Sequence, residues 1–506
     1  MARTRQRNSI VANASANLLR LAGSGIVALL LPPFLVRLLS TDAYSTWAIL
    51  MQLSLGVGLL DFGIQTAVAR FVAHADELND EKEREGIVST AFFLLVGACV
   101  LAMLAIGILA WQLPNVFRTM PTSLHGSSRV ALLLMGGSFA LGLPVAVIPS
   151  LFIGLQRNDI PAAIAIGNKF VMAGLVIAAA LKHSGLALMA AAVAVVNLAS
   201  YCVSWVVWRV WAGDIRIHLS LVAKTYARRI VSYSAALTVW IGAMWLISGL
   251  DLTIVGIFDY RATAAYAVAA SLTNFVAQTQ GAMFAALLPV SAVLAARRDE
   301  RELGAMLLSS TRYGCLTLLM TGLPLILFGE AILRVWVGPD YASQGTAILQ
   351  VLVAANVIRL SALPYSTLLL GTGQQHKVIL SPIAEGLVNL VTSVAGAYMW
   401  GAIGVAFGTL VGAVVSVILH FFYNMPRTSL VSIDRSLLLR ESVLRPMICA
   451  TPIGVVLLIN RTLPQLPSML VITFSFAGMI ASLLLLWNYG LVSSERDRLQ
   501  SVLRWA

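Results

Sequence analysis

A few charged and amide side chains stand inside long apolar runs of this chain, and their chemistry is that of charge held away from water. Arg20 shares one helical face with Asn13, Asn17 and Ser24, at spacings of three and four. Such a stripe either lines a water-filled cavity or lets the arginine snorkel to the cytoplasmic headgroups. Arg359 lies far from both ends of its run, with Asn356 and Ser366 on its face. It either serves a cavity or sits in an ion pair between helices. Lys169 follows Asn168 in another run, and Ser271, Asn274 and Gln278 make a further polar face. A charge at the bilayer centre costs about 2.5–3.5 kcal/mol on insertion scales, so each such group needs a partner or a wet surround. Asp61, on a face with Ser54, Gly58 and Gln65, and Glu385 are the acids that could carry a coupling proton, because low dielectric penalises a bare carboxylate. Pairing with Arg20 or Arg359 is the other reading of both. Asp251 lies one turn from Ser248. Arg70 and Arg312 read as interfacial anchors, and Arg37 as a snorkelling residue. Bases outnumber acids at membrane depth, which suits an anionic cargo; phosphate and diphosphate groups match the bidentate donors of arginine.

The elements that must position these groups are helices. Hydrophobic residues make up 59% of the chain and charged residues 11%. About fourteen apolar runs between residues 11 and 490 are each long enough to cross a bilayer. They show no period-two alternation, and backbone in lipid must satisfy its own hydrogen bonds, so strands are excluded. The chain is expected to be an all-α polytopic membrane protein without a soluble domain. Pro144, Pro324 and Pro364, with Gly56, Gly58 and Gly63, are where those helices could bend.

A shift of about 219 residues lays Gly185–Val196 on Gly404–Val415, Gly154-Leu-Gln156 on Gly373-Gln-Gln375, and Pro144 near Pro364. Each match is weak alone, but the offset is shared. It spans six helices, an even number, so the repeat is parallel, about an axis along the membrane normal. The expected organisation is a six-helix bundle over 1–212, a second over 213–424, and two extra helices with a cytoplasmic tail over 425–506. Repeats of this kind place the site between the halves.

The net charge of +12 does not call for nucleic acid. Most of the 34 Lys and Arg fall at the amino terminus and in alternate breaks, as the positive-inside rule places them, with both termini cytoplasmic. The basic start and first run are too long for a cleaved signal and continue through Pro32 and Pro33, so an uncleaved first helix is expected. Cys99, Cys202, Cys315 and Cys449 fall in separate runs, which argues against a disulfide framework or metal cluster. The six histidines form no pair at catalytic or metal-ligand spacing, and no nucleotide-binding loop occurs. No cofactor is expected beyond a coupling proton or sodium ion.

The segment Leu31–Trp47, with its Pro-Pro and its Tyr44-Ser-Thr-Trp47, is followed by Gly58–Arg70, which carries Asp61-Phe-Gly63. Together they resemble the start of the polysaccharide transporter family, which contains the Wzx-type O-antigen flippases of the multidrug/oligosaccharidyl-lipid/polysaccharide (MOP) superfamily. Gly371–Gln375 is similar to that family too. Ser45 and Thr46 replace the usual small residue before the aromatic. The resemblance implies a pair of six-helix bundles around a central cavity, in the bacterial inner membrane. It implies export of an undecaprenyl-diphosphate-linked oligosaccharide, sugar first, from the cytoplasmic to the periplasmic leaflet for surface polysaccharide such as O-antigen or lipopolysaccharide. Under it Arg20 and Arg359 would face the cavity; Asn17, Lys169, Asn274 and Asn356 are the further cavity candidates read from the residues themselves. Membrane lipids and polysaccharide assembly proteins would be the other partners. Three alternatives remain open: a lipid II-type flippase, whose branch also has fourteen helices; a drug/cation antiporter, which would want acids in its cavity; and a membrane polysaccharide polymerase or ligase, which would need long loops. The outer loop near 112–128 offers only His125 and Arg118.

Overall fold

The computed structural model of the protein describes residues 23–431, 433–463 and 465–491, with 496, 497 and 500 of the tail. Among the described residues there is helix and turn but no strand. Apolar backbone in lipid has few other ways to pair its polar groups. In chain order the main helices are α1 (Gly23–Leu38), α2 (Thr41–Leu55), α3 (Ile64–Glu77), α4 (Glu81–Val116), α5 (Thr122–Val145), α6 (Val147–Gly154), α7 (Asp159–Leu181), α8 (Gly185–Trp211), α9 (Lys224–Ser248), α10 (Asp251–Phe258) and α11 (Thr263–Phe284). There follow α12 (Leu287–Arg297), α13 (Glu300–Leu327), α14 (Gly329–Trp336), α15 (Pro339–Leu360), α16 (Leu363–Gly371), α17 (Leu380–Trp400), α18 (Ala402–Leu419), α19 (Arg435–Leu438), α20 (Arg445–Cys449), α21 (Thr451–Thr462) and α22 (Ser468–Leu485). Eleven helical stretches are long and apolar enough to cross a membrane, or twelve if α13 and α14, bent by 75°, count as one. The two expected spans outside that tally are α1 and α20–α21. The chain is an all-α polytopic membrane protein of about fourteen passes. Its outward faces carry residues such as Ile108, Trp111, Val206 and Tyr398, each more than half exposed, as lipid contact requires.

Packing divides the chain into two compact units. One runs to Phe275 and includes Pro382–Gly412; the other is Val276–Ser381 with the chain from Ala413 onward. Both are discontinuous, and α11, α17 and α18 each contribute to both. The expected boundaries at 212/213 and 424/425 follow sequence repetition, whereas these units follow contact.

In the first unit α5 packs between α4 and α8, and α7 packs on α8. The α17–α18 hairpin closes through a stripe of small residues. Gly404, Gly408 and Gly412 recur every four residues and lie against Gly396, Ser393 and Asn389, so a Cβ at any of them would collide with α17. That approach lets Thr392 donate to the Gly408 carbonyl at 3.3 Å. The hairpin is tied to its neighbours by Asn389, which donates to the Ile247 carbonyl at 2.8 Å.

The second expected span is not one helix. After α2 the chain tightens into a 3₁₀ turn (Gly56–Asp61), and Phe62 and Gly63 take positive φ of 52° and 74° before α3 begins. The expectation that Asp61 shares a continuous face with Ser54, Gly58 and Gln65 is therefore corrected: the left-handed pair ends one helix and starts another. Freed backbone groups at membrane depth must be satisfied locally. Thr238 donates to the Phe62 carbonyl at 2.8 Å, and the Asp61 carboxylate accepts the Gln65 N–H at 3.3 Å. Gly63 is required twice, by its φ and because a Cβ there would lie 2.8 Å from that of Leu237. A second break separates α9 from α10, and Gln52 donates to its Gly249 carbonyl at 2.8 Å.

The segment between α8 and α9 is a strap laid on the start of α4. Arg216 N–H donates to Glu85, His218 N–H to Ser89 and Ala223 N–H to Thr90. Arg84 bridges Asp76 at 2.8 Å and Asp214 at 3.4 Å. Arg229 pairs with Glu83 and lies over the Phe71 ring. Arg70 lies over Tyr233 and is exposed, in keeping with an interfacial anchor.

In the second unit α13 bends sharply just beyond Pro324, and α16 starts at the Leu363–Pro364 step. Arg312 departs from its expected role. It is 6% exposed, and its guanidinium donates to the Glu441 carbonyl at 3.2 Å in a π-helical stretch, Leu439–Leu444. A π turn displaces carbonyls from the regular ladder, and a buried arginine satisfies one here. With Ser442, which donates to the Leu308 carbonyl at 2.9 Å, it ties the two extra helices to α13. Beside this tie an apolar groove of about 120 Å³ runs between Leu319, Leu323, Ile453, Met479 and Leu486.

One turn recurs in both halves of the sequence. After α6 the chain closes with Arg157 N–H to Phe152 O and Gln156 at positive φ; after α16 it closes with Gln374 N–H to Leu369 O and Gly373 at positive φ. His183 after α7 and Gly401 after α17 also share positive φ. Both pairs stand close to the shift read in the sequence.

Candidate functional site

A cavity of about 370 Å³ opens within the first unit. Its walls are α5 and α6, α7 and α8, with Gln65 of α3 at its edge. Pro144 stands near the end of α5, and α5 gives way to α6 at Ala146, beside the cavity. Proline removes a helical hydrogen bond and kinks a helix.

Lys169 lines this cavity mid-way along α7, beside Asn168. The other polar lining residues are Asn158, Asn197, Ser200, Tyr201 and Ser204, and no acid is among them. A chain of hydrogen bonds fixes the back wall. Asn168 donates to Asn197 Oδ1 at 3.3 Å, and Asn197 donates to Ser138 Oγ at 3.0 Å. Tyr201 donates to the Ser138 carbonyl at 3.1 Å. Asn197 is 4% and Ser138 3% exposed, so these amides and hydroxyls are held rigidly. The sequence reading picked out Asn168 and Lys169 but not Ser138, Asn197 or Tyr201. The signal was present: Asn197 and Tyr201 are four residues apart, on one face of α8.

Asp61 is not a lining residue, but it stands one turn from one. The carboxylate that caps α3 does so at the N–H of Gln65, whose side chain reaches the cavity. Asp61 is itself 8% exposed.

The remaining expected site residues fall elsewhere. Asn17 and Arg20, with Asn13, lie outside the described residues. Asn274 is exposed on α11 and does not line the cavity. Glu385 is buried on α17, four residues before Asn389, on the side of that helix that meets α9. In the second unit Arg359 and Asn356 do meet: the guanidinium donates to Asn356 Oδ1 at 2.9 Å. The pair sits in the last turn of α15, immediately before the break into α16. Arg359 thus lies in the last turn of a helix, where a cation is favoured.

Asp251, at the first turn of α10, is a further buried acid. Tyr266 donates to its Oδ2 at 3.2 Å and Thr409 at 3.3 Å, joining α10, α11 and α18. Among the described residues no group of three or more His, Cys, Asp or Glu is placed to hold a metal ion. Among the described residues the lining offers one cation, several amides and several hydroxyls; it can bind, orient and shield a polar anion.

No protein-family model matches the chain, and no curated protein does. Solved structures do. The lipid II flippase MurJ, in an inward closed conformation, aligns with a TM-score of 0.69 at 12% identity, over 94% of this chain and 98% of that one. The chain has the MATE/MurJ fold. A multidrug resistance MATE family transporter of the MOP superfamily, inward-facing, aligns with a TM-score of 0.62 at 16% identity, over 80% of this chain and 98% of that one. An outward-facing MATE structure gives 0.57 at 15% identity, over 84% and 96%.

Proposed function

We propose that the protein is a flippase of the bacterial inner membrane that turns an undecaprenyl-diphosphate-linked oligosaccharide from the cytoplasmic to the periplasmic leaflet, for surface polysaccharide such as O-antigen. The observation that carries this reading is the cavity among membrane-spanning helices, lined, among the described residues, by Lys169 and amides and by no acid. Moving an anionic headgroup through hydrocarbon costs tens of kcal/mol if it is bare. A preformed polar lining with fixed positive charge replaces its water. Arg359 with Asn356, and Arg20 with Asn17, are the further cations assigned to the path, with Asn274 as a polar contact. The lipid tail stays in the bilayer.

Two six-helix halves, 1–212 and 213–424, would rock about the cargo as parallel repeats do. The turns shared by Gln156 with Gly373 and by His183 with Gly401 support that repeat. Both termini would be cytoplasmic, from the placement of the basic residues. Coupling to protons or sodium would use Asp61 or Glu385. Asp61 is favoured, because it caps the helix that carries Gln65 to the cavity.

Arg359→Ala tests the reading. It should abolish surface polysaccharide export while protein levels hold; full surface polysaccharide would remove Arg359 from the mechanism. A second reading, a lipid II-type flippase, is favoured by the alignment to MurJ. Rescue of cells depleted of their own lipid II flippase would establish it in place of the first. A drug/cation antiporter would want acid in the cavity, where this chain has lysine.

A further inference from the structure

Four arginines of the first unit lie over aromatic rings, and all four stand at one end of its helices. Arg70 is 4.8 Å from the centre of the Tyr233 ring, Arg229 4.4 Å from Phe71, Arg209 4.9 Å from Trp208 and Arg157 4.7 Å from Trp211. They belong to the second half of α3, the turn into α7, the end of α8 and the first half of α9. At the opposite ends Arg118, Arg129 and Lys182 make no such contact among the described residues. Arginine with tryptophan and tyrosine at one level of membrane helices marks a headgroup layer. The end of α8 is the open part of this layer. Trp208 is buried, whereas Val206 and Val210, on the opposite face, are 59% and 72% exposed, as contact with lipid tails requires. Arg209 and Trp211 flank that valine face, and Arg157 comes across from the turn into α7 to cover Trp211. A guanidinium over a ring keeps N–H groups at its edge for an anion, and a phosphate matches that fork. Arg157 shares its charge with Asp159 at 3.1 Å; among the described residues no carboxylate pairs with Arg209. The strap that follows adds to the field: residues 209–229 hold five Lys and Arg and one acid, Asp214, which Arg84 bridges at 3.4 Å. Leu219 in the strap is 65% exposed, and exposed leucine among bases suits a bilayer surface.

We propose that the end of α8, with the turn into α7, binds the headgroup of an anionic phospholipid. Arg157 and Arg209 take its phosphodiester, Trp211 lies where headgroup meets tail, and the acyl chains run along Val206 and Val210. The site is continuous with the lipid-facing surface of α8, which favours a lipid over a soluble partner. The positive field of 209–229 selects an anionic lipid over a zwitterionic one, whose ammonium group offsets its phosphate. None of these side chains lines the cavity, so the site does not depend on which cargo is carried.

The test is native mass spectrometry of the purified full chain, released from micelles that hold phosphatidylglycerol or phosphatidylcholine of identical acyl chains. The wild type should retain phosphatidylglycerol at a concentration about tenfold lower or more, the effect of one charged hydrogen bond, and less of it as salt rises. Arg157→Gln with Arg209→Gln should erase the preference. Arg209→Lys should keep part of it, since an ammonium group supplies charge without the fork. Arg118→Gln with Arg129→Gln, at the other end of the helices, should leave it intact. If the first pair does not fold, Arg209→Gln decides alone, because that exposed side chain touches only a ring. Equal retention of the two lipids by the wild type, or a preference that survives the loss of Arg157 and Arg209, overturns the assignment. So does a preference lost with Arg118 and Arg129, or displacement of the lipid by an equal concentration of inorganic phosphate, which would make this a site for the free ion.

Discussion

Replacing Asp61 separates a structural carboxylate from a coupling one. The structure gives its carboxylate a defined contact, accepting the Gln65 N–H at 3.3 Å across the break between the second span's two helices. Asp61→Ala leaves that amide without its acceptor, at a cost of about 1–2 kcal/mol, the range for a lost helix cap. A loss of that size lowers the thermal midpoint by only a few degrees, and it does not unfold the chain. Asp61→Asn keeps a side-chain oxygen in the same place and should restore the midpoint. It cannot give up or take a proton, so export should stay lost. The assays are thermal unfolding of purified protein and surface polysaccharide in cells expressing equal amounts. Wild-type export from Asp61→Asn would refute a coupling role and leave Asp61 as a cap. Wild-type stability in Asp61→Ala would refute the cap.

Two changes test the packing that holds the site. Gly408→Ala places a methyl against Ser393 where the α17–α18 hairpin closes; overpacking of that kind costs about 1–3 kcal/mol, read as a lower thermal midpoint, and an unchanged midpoint would contradict the close approach. Arg312→Ala removes the buried donor to the Glu441 carbonyl, at about 1–3 kcal/mol, and should expose the stretch 425–445 to protease while the first unit stays protected; unchanged cleavage would show that the two extra helices are tied down by other contacts.

Fold class was open to sequence reading because apolar length alone distinguishes a bilayer helix. Where the helices break was partly open. Pro144, Pro324 and Pro364 each stand within three residues of an observed kink or helix end. Gly56 and Gly58 fall in the 3₁₀ turn where the second span breaks, although no neighbouring group crowds Gly58. The break at Phe62–Gly63 was legible as a possible bend at Gly63, but not as the end of one helix and the start of another, because Thr238 and Leu237, which meet it, come from far along the chain. Arg312 was misjudged for a related reason. Its depth in the run suggested a headgroup anchor, but the carbonyl it serves comes from a π turn far along the sequence. At the cavity, Lys169 and Asn168 were legible because amide and charge are rare in apolar runs. Asn197 and Tyr201 carried a signal, one shared face of α8, that was passed over; that they meet Ser138 and Asn168 was not legible, because only tertiary packing brings α5, α7 and α8 together.

The most direct test is flipping in proteoliposomes of a fluorescent undecaprenyl-diphosphate oligosaccharide, followed by chemical quenching of the outer leaflet. The wild type should expose the trapped inner-leaflet fraction to quencher, and Lys169→Gln together with Arg359→Gln should leave it protected. Equal quenching by the wild type and the doubly neutralised protein would contradict the view that fixed positive charge in the membrane carries the anionic headgroup across.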